Sequence, residues 1–391
     1  MSWAFEMETL VLGWYVLAET GSVSLLALFG ALQFLGALVS PLFGVAGDRV
    51  GHRSLLCITR LAYFIMAALL MTLAFTAELT PARVLIVTTI AGLIRPSDMM
   101  MRNTLIAQSM SPARLIGALG LSRVTTDSSR IAGALAGAGV VAAFGVGPAY
   151  AVILCLYGLS FGLTFGISSV RRIAANPSTH PPPSPWGDLR HLFVYVWRKP
   201  ELLAATAIAF LGNLLAYPFV LGLLPYVARE IYHVGQTGLG ILAASFAAGC
   251  LAGSIFVILN RTPLRLARTM LFGTAVWFLF ILIFVHLRSL TAGAVVLALA
   301  GVAQTMCMVP LAAVMLRSSG EEIRGRVMSM RMLAVGGLPL GLLLAGPLID
   351  RIGFAATGSL CALLGLASTL WIGVRWRDCL WRSAAPANAR M

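Results

Sequence analysis

Ionisable side chains interrupt stretches that are otherwise apolar enough to enter lipid. Arg95 and Asp98 fall in one such stretch, beside Pro96, and Arg123, Asp127 and Arg130 fall in another, within the polar run SRVTTDSSR. Glu6 and Glu8 fall in a third. An arginine or aspartate at the middle of a membrane helix costs roughly 2.5–3.5 kcal/mol on insertion scales, so each needs a partner or a water-filled cavity. Carboxylates beside guanidinium groups in such a place can hold and release protons or bind a charged substrate. Glu6 and Glu8 are candidates for binding a proton or a cationic substrate; being two residues apart they face different sides of a helix, so at most one is expected to line a cavity.

Depth along the helices brings the charges to a common level. At 1.5 Å per residue, Arg95 lies roughly 18 Å from Arg83, Arg130 roughly 22 Å from Gly145 and Asp127 roughly 27 Å from it. A charge network of Arg95, Asp98, Arg130 and Asp127 is therefore expected between adjacent antiparallel helices. A purely structural alternative neutralises each helix internally, Arg95 with Asp98 at i,i+3 and Arg123 with Asp127 at i,i+4. Buried ion pairs bring little net stability, which favours the functional reading.

The elements that must position these groups follow from composition. Of 391 residues, 59% are hydrophobic and 11% charged, and the mean hydropathy is +0.91. A soluble chain carries about 25% charged residues, so lipid must cover most of this one. Cutting at polar breaks predicts an all-α membrane protein of twelve transmembrane helices, at 3–18, 23–46, 54–76, 83–103, 117–145, 148–168, 202–225, 238–259, 267–287, 291–316, 327–349 and 354–374. The first span has only about 18 residues, roughly 27 Å, which barely crosses a bilayer. The recorded start is thus expected to lie downstream of the true one, and no cleavable signal peptide is recognisable.

The net charge of +14 rests almost wholly on arginine, Lys199 being the only lysine. Basic residues crowd the loops of one side, from Arg49 and Arg53 through Arg171 and Arg172 to Arg324, Arg326 and Arg377. The opposite loops hold little beyond Arg83, Arg229, Arg288 and Arg351. The positive-inside rule then puts both termini in the cytoplasm of a cell whose inner membrane holds the chain. Scattered in this way, the charge forms no nucleic-acid stripe. The cysteines show no CxxC pairing and the histidines no metal-ligand spacing, so neither cofactor nor metal is expected.

One long loop divides the chain. NPSTHPPPSPW reads as an extended connector, and WGDLRHLFVYVWRKP as an interfacial amphipathic helix. The expected units are a six-helix half at 1–170, a cytoplasmic linker at 171–200, a second six-helix half at 201–375 and a tail at 376–391. An internal repeat supports the halves: Ser111–Gly145 aligns without gaps to Ser319–Gly353, pairing Gly117 with Gly325, Arg123 with Arg331, Gly133 with Gly341 and Gly145 with Gly353. A shorter match sets Phe29 and Gly36 against Phe246 and Gly253. Duplicated halves are what secondary transporters rock around a central site. Asp127 and Arg130 map onto Val335 and Leu338, so the chemistry is expected in the N-terminal half alone. Gly133, Gly137 and Gly341 read as close helix-packing positions. Trp14, Tyr15, Phe34, Phe210, Asn213, Tyr217, Trp277, Gln304, Met306 and Met308 are candidates for a plastic amphiphile pocket.

The short turn between spans two and three reads Gly44-Val-Ala-Gly-Asp48-Arg49-Val-Gly51-His52-Arg53. Its glycines permit a tight turn, and its acid and bases form a charged latch. It resembles the signature of the major facilitator superfamily at Gly44, Asp48, Arg49, Gly51 and Arg53, with His52 standing where arginine is usual. The resemblance implies that Asp48 meets the start of helix eleven, at Arg326 and Val327, and holds an outward-facing state. The segments GWYVLAETGSV, ALQFLGALVSPLFGVAGDR, PSPWGDLRHLFVYVWRKPEL, LLPYVAREIY and IRGRVMSMRML are similar to the branch containing enterobactin and macrolide exporters. That branch implies proton-coupled efflux of small amphipathic molecules by a monomer. The helix-five antiporter signature departs from it, since Gly133-Ala134-Leu-Ala-Gly137 lacks the expected proline. Alternatives are a lysophospholipid or other amphiphile carrier of the same fold, and a non-transporting receptor or membrane enzyme. The short outer loops offer the last no catalytic constellation.

Overall fold

The computed structural model describes residues 1–37, 52–109, 112–166, 195–259, 265–318 and 324–380, and among them the chain is helical with no strand. The helices are α1 (Ser2–Thr20), α2 (Val23–Leu32, followed by a 3-10 turn Leu35–Ala37), α3 (His52–Phe75), α4 (Pro81–Ser109), α5 (Pro112–Phe144) and α6 (Val146–Phe165). Then come α7 (Pro200–Leu211 and its π-helical continuation), α8 (Gln236–Leu259), α9 (Leu266–Phe284), α10 (Leu290–Ser318), α11 in two pieces (Arg324–Val335 and Gly337–Ile352) and α12 (Phe354–Arg375). These fall at the twelve expected positions, residues 38–46 of the second span lying outside the described residues. The linker, its proline-rich stretch and most of its expected amphipathic helix lie outside the described residues.

Local chemistry sets the ends. Ser22 caps α2 by accepting from the Leu25 amide at 3.2 Å, while Gly21 closes α1 in the left-handed conformation. Prolines open α4, α5 and α7, where a missing N–H costs nothing. Two spans differ from expectation. α7 continues beyond 225 through π-turns Gly212–Ala216, Pro218–Gly222 and Val227–Ile231, because Pro218 and Pro225 cannot donate to an α-helical ladder. α11, expected as one span, breaks at Gly336.

Seven helices among the described residues are long and apolar enough to cross a membrane: those of α3, α6, α8, α9, α10, α11 and α12. Large apolar side chains such as Leu163, Phe272 and Trp371 point outward, as lipid contact requires. α3 packs on α6 and α9 on α12, while α5 meets α8 and α2 meets the second piece of α11. The first six helices thus contact the last six along two seams related by the same shift of six helices.

Glycines paired by the repeat occupy like positions. Gly145 and Gly353 both have φ of 83° and open α6 and α12, a conformation open to glycine and strained for other residues. A methyl at Gly133 would lie 3.0 Å from the Glu6 Cβ and the Trp3 carbonyl oxygen, so α5 presses on α1. At Gly341 it would collide with the Leu214 carbonyl, so α11 presses on α7 in the matching place. Gly137 packs α5 against Met7.

Candidate functional site

Helices α1, α2, α4, α5, α7 and α8 surround one cavity. The polar stretches of α1, α4 and α5 and the π-turns of α7 are affordable in a membrane only where they face protein or water, and here they face each other. The cavity has about 70 Å³ of water-accessible volume, enough for a handful of waters at roughly 10–15 Å³ each. Glu6 and Thr9 of α1, Gln33 and Phe34 of α2, Arg95 of α4 and Arg130 of α5 supply one wall; Val220, Leu221 and Phe246 of the other half supply the facing wall. Phe29 and Phe246, equivalent in the repeat, both line it.

Arg130 is the hub. Its Nε lies 3.2 Å from Glu6 Oε1 and its Nη1 3.9 Å from Oδ1 of Asp127, which is fully buried. Arg95 lies on the same wall with its Cζ over the faces of two rings, 3.6 Å from the Phe5 centroid and 4.4 Å from that of Phe34. Thr9 donates to Gln33 Oε1 at 3.0 Å across the α1–α2 contact.

The expected network is therefore divided. Asp98, expected at the level of Asp127 and Arg130, turns instead to Arg60 of α3, with Nε 3.2 Å from Oδ1. Arg60 also donates to Thr164 Oγ1 at 2.7 Å and the Ser160 carbonyl at 3.1 Å. This second cluster sits between α3, α4 and α6, and the Arg95–Asp98 pairing within α4 does not form. Depth along an axis says nothing of rotation about it. Arg60 was missed by sequence reasoning, although an arginine inside CITRLAYFIM carries the same signal as the others.

Glu6 and Glu8 face different sides, as their spacing requires. Glu6 lines the central cavity, while Glu8 borders a void of about 20 Å³ enclosed by α1 to α4. Tyr157 of α6 donates to Glu8 Oε2 at 2.6 Å, Tyr150 lies beside the same carboxylate, and Tyr63 stacks on Tyr157 at 5.6 Å. These tyrosines carried no sequence signal, since aromatics in membrane helices are ordinarily packing residues.

Across the seam, a chain of neutral polar groups links α7, α8 and α10. Gln304 donates to the Tyr217 hydroxyl, Cys250 donates to Gln304 Oε1 at 3.4 Å, and Thr305 donates to the Cys250 carbonyl at 3.1 Å. Tyr217 meets the fully buried Trp277 edge-on at 4.9 Å. Of the candidate amphiphile residues, Phe34 reaches the cavity, Trp14 and Met308 pack into the core, and the Tyr15 hydroxyl is held by the Leu79 carbonyl at 2.6 Å.

At the end that bears Gly21 and Gly353, the halves are joined. Ser24 donates to Asp350, Arg229 donates to the Leu17 carbonyl at 2.7 Å, and a methyl at Gly346 would lie 2.9 Å from the Ala27 Cβ. At the other end, Gly44, Asp48, Arg49 and Gly51 lie outside the described residues, as do the side chains of Arg123 and Arg326. Arg53 is described, and it donates to the Phe165 carbonyl at the last turn of α6 at 2.9 Å, a favourable place for a cation.

Residues 2–342 match the profile of the Major Facilitator Superfamily. The chain belongs to this superfamily. Solved structures share the fold over nearly the whole length. A POT family transporter in complex with a thioalcohol-conjugated peptide has a TM-score of 0.72 and 12% identity, covering 97% of this chain and 94% of the other. A D-xylose–proton symporter gives 0.71 and 12%, covering 95% and 94%. The human organic anion transporter MFSD10 (TETRAN) gives 0.66 and 16%, covering 95% and 98%. At such identities the likeness carries the fold. No curated protein matches the chain. Family and fold make it a multi-pass membrane transporter and not an enzyme.

Proposed function

We propose that the protein is a secondary active exporter of small amphipathic molecules, coupled to proton entry and working by alternating access. The observation that carries this reading is the Glu6–Arg130–Asp127 cluster on the wall of a cavity between the two sets of six helices. A carboxylate that exchanges a guanidinium for a proton changes the charge of that wall, and this is the differential interaction a coupled transporter needs. In this proposal the halves are 1–170 and 201–375, the linker 171–200 and the tail 376–391 are cytoplasmic, and the protein works as a monomer in the inner membrane. The motif at Gly44, Asp48, Arg49, Gly51 and Arg53 gates against Arg326, and the branch is that of the enterobactin and macrolide exporters. The residues of the charged clusters are Asp127, Asp98, Arg95, Arg130, Glu6 and Glu8. Contacts at the Gly21–Gly353 end close one mouth of the cavity, and its small volume requires the halves to part before a ligand fits.

The test is retention of amphipathic dyes in a bacterial strain lacking its own exporters. Expression of the protein is expected to lower retention, and a protonophore to restore it. Unchanged dye retention together with uptake of radiolabelled lysophospholipid would overturn export in favour of a lipid carrier.

A further inference from the structure

Three half-buried arginines of the first six helices, Arg60, Arg95 and Arg130, are satisfied in different ways. Arg130 meets Glu6 and Asp127, and Arg60 meets Asp98, Thr164 and the Ser160 carbonyl. Arg95 makes no ion pair with a described residue, and its Nη1 is buried without a hydrogen-bond partner. The groups that hold it are the faces of Phe5 and Phe34, at 3.6 and 4.4 Å. Ring faces attract the charge of a guanidinium but take up none of its conventional N–H···O hydrogen bonds. Its N–H edge is what binds a carboxylate through two parallel hydrogen bonds.

The balance of charge agrees. Ionisable groups on the cavity wall are Glu6, Arg95 and Arg130, which sum to +1. Asp127 is fully buried and does not line the cavity; it and Glu6 together offset Arg130, and neither comes within ion-pair distance of Arg95, whose charge is left over at the wall. Asp98, three residues along the same helix, is engaged by Arg60. The remaining wall, with Leu10, Phe29, Val220 and Phe246, is apolar.

We infer that the transported molecule carries an anionic group, a carboxylate or its equivalent, which docks on the N–H edge of Arg95 while its apolar body lies along Phe29 and Phe246. The inference rests on the reading of this cavity as the transport site and assigns the class of ligand that enters it. Phe5 and Phe34 act as positioning residues that hold the guanidinium without neutralising it. Docking of an anion there leaves the Glu6–Arg130–Asp127 cluster intact for proton exchange.

The experiment compares two probes alike in shape and different in charge, 2-naphthoate and 2-naphthamide, binding to the full-length protein in phosphatidylcholine nanodiscs. The acid is expected to bind saturably and roughly tenfold or more tighter than the amide, the worth of one charge-assisted pair. R95Q should erase the difference, and R95K should retain part of it as a point charge without the fork. The acid–amide comparison on the parent protein stands even where a variant fails to fold. Equal binding of the two probes, a preference that survives in folded R95Q, or no saturable binding of either overturns the assignment. Dye transport measured on the same preparation separates the two readings. Export of neutral amphiphiles without naphthoate preference sinks the anion site alone, whereas naphthoate binding at Arg95 in a protein that moves no amphiphile sinks export alone.

Discussion

The two sets of six helices share a frame and differ in their interiors. Gly133 and Gly341 bring α5 onto α1 and α11 onto α7; Gly145 and Gly353 turn the chain with the same φ; Phe29 and Phe246 face one cavity. Yet where the first set buries Arg130 and Asp127, the second has Leu338 and Val335. Its interior holds a neutral chain of Gln304, Tyr217, Cys250 and Thr305, with Arg331 of α11 acting on the buried Cys307. Packing geometry survives duplication because it depends on small residues at crossings. Charge does not need to be duplicated, because one cluster suffices for a single cavity, and a second would add the cost of burying more ions. Both sets thus supply close helix crossings, and the proposed ionic coupling rests on the first.

The largest effect is expected at Asp127. D127N keeps the shape of a fully buried side chain and removes its charge beside Arg130. It should reduce proton-driven dye export to background while leaving expression and melting temperature near those of the parent. Export at parental rate would remove the residue from the mechanism.

Next comes Arg60. R60Q strands Asp98 without its cation, and breaking a buried pair costs about 3–5 kcal/mol. Thermal denaturation should show the loss, and R60Q/D98N should regain most of it, because the double change leaves no uncompensated charge. A double variant no more stable than R60Q would mean that the pair is incidental.

The glycines test whether the frames are equally tight. G341A forces a methyl onto the Leu214 carbonyl, while G133A meets atoms at 3.0 Å that need yield only slightly. Overpacking of this kind costs about 1–3 kcal/mol, with G341A at the upper end and G133A below it. Melting curves of the two variants check the order. The smallest effect belongs to the neutral interior: Q304L removes hydrogen bonds worth about 1 kcal/mol each and should leave coupling unchanged.

What the sequence made legible follows the physics of each signal. Apolar periodicity and polar breaks mark twelve spans because lipid tolerates no exposed polar backbone, and the repeat is visible because close crossings demand glycine. Depth is legible at 1.5 Å per residue, which placed Arg95 of α4 near the level of Arg130 of α5, and both line the cavity. Rotation about the axis is not, so Asp98 was assigned to the wrong partner, and Arg60, 38 residues away, was overlooked. The π-turns of α7 depend on how Pro218 and Pro225 are accommodated by neighbouring helices. Likewise the Glu8–Tyr157 contact joins α1 to α6, and no local pattern announces a tyrosine that meets a carboxylate 149 positions away.

The claim that ionic coupling resides in one member of a duplicated pair is tested most directly by substrate-induced proton movement in proteoliposomes. A panel of amphiphiles would be followed with an entrapped pH dye for the parent, D127N and Q304L. The account predicts proton flux in the parent and in Q304L and none in D127N. Flux that persists in D127N, or that vanishes in a folded Q304L, would contradict it.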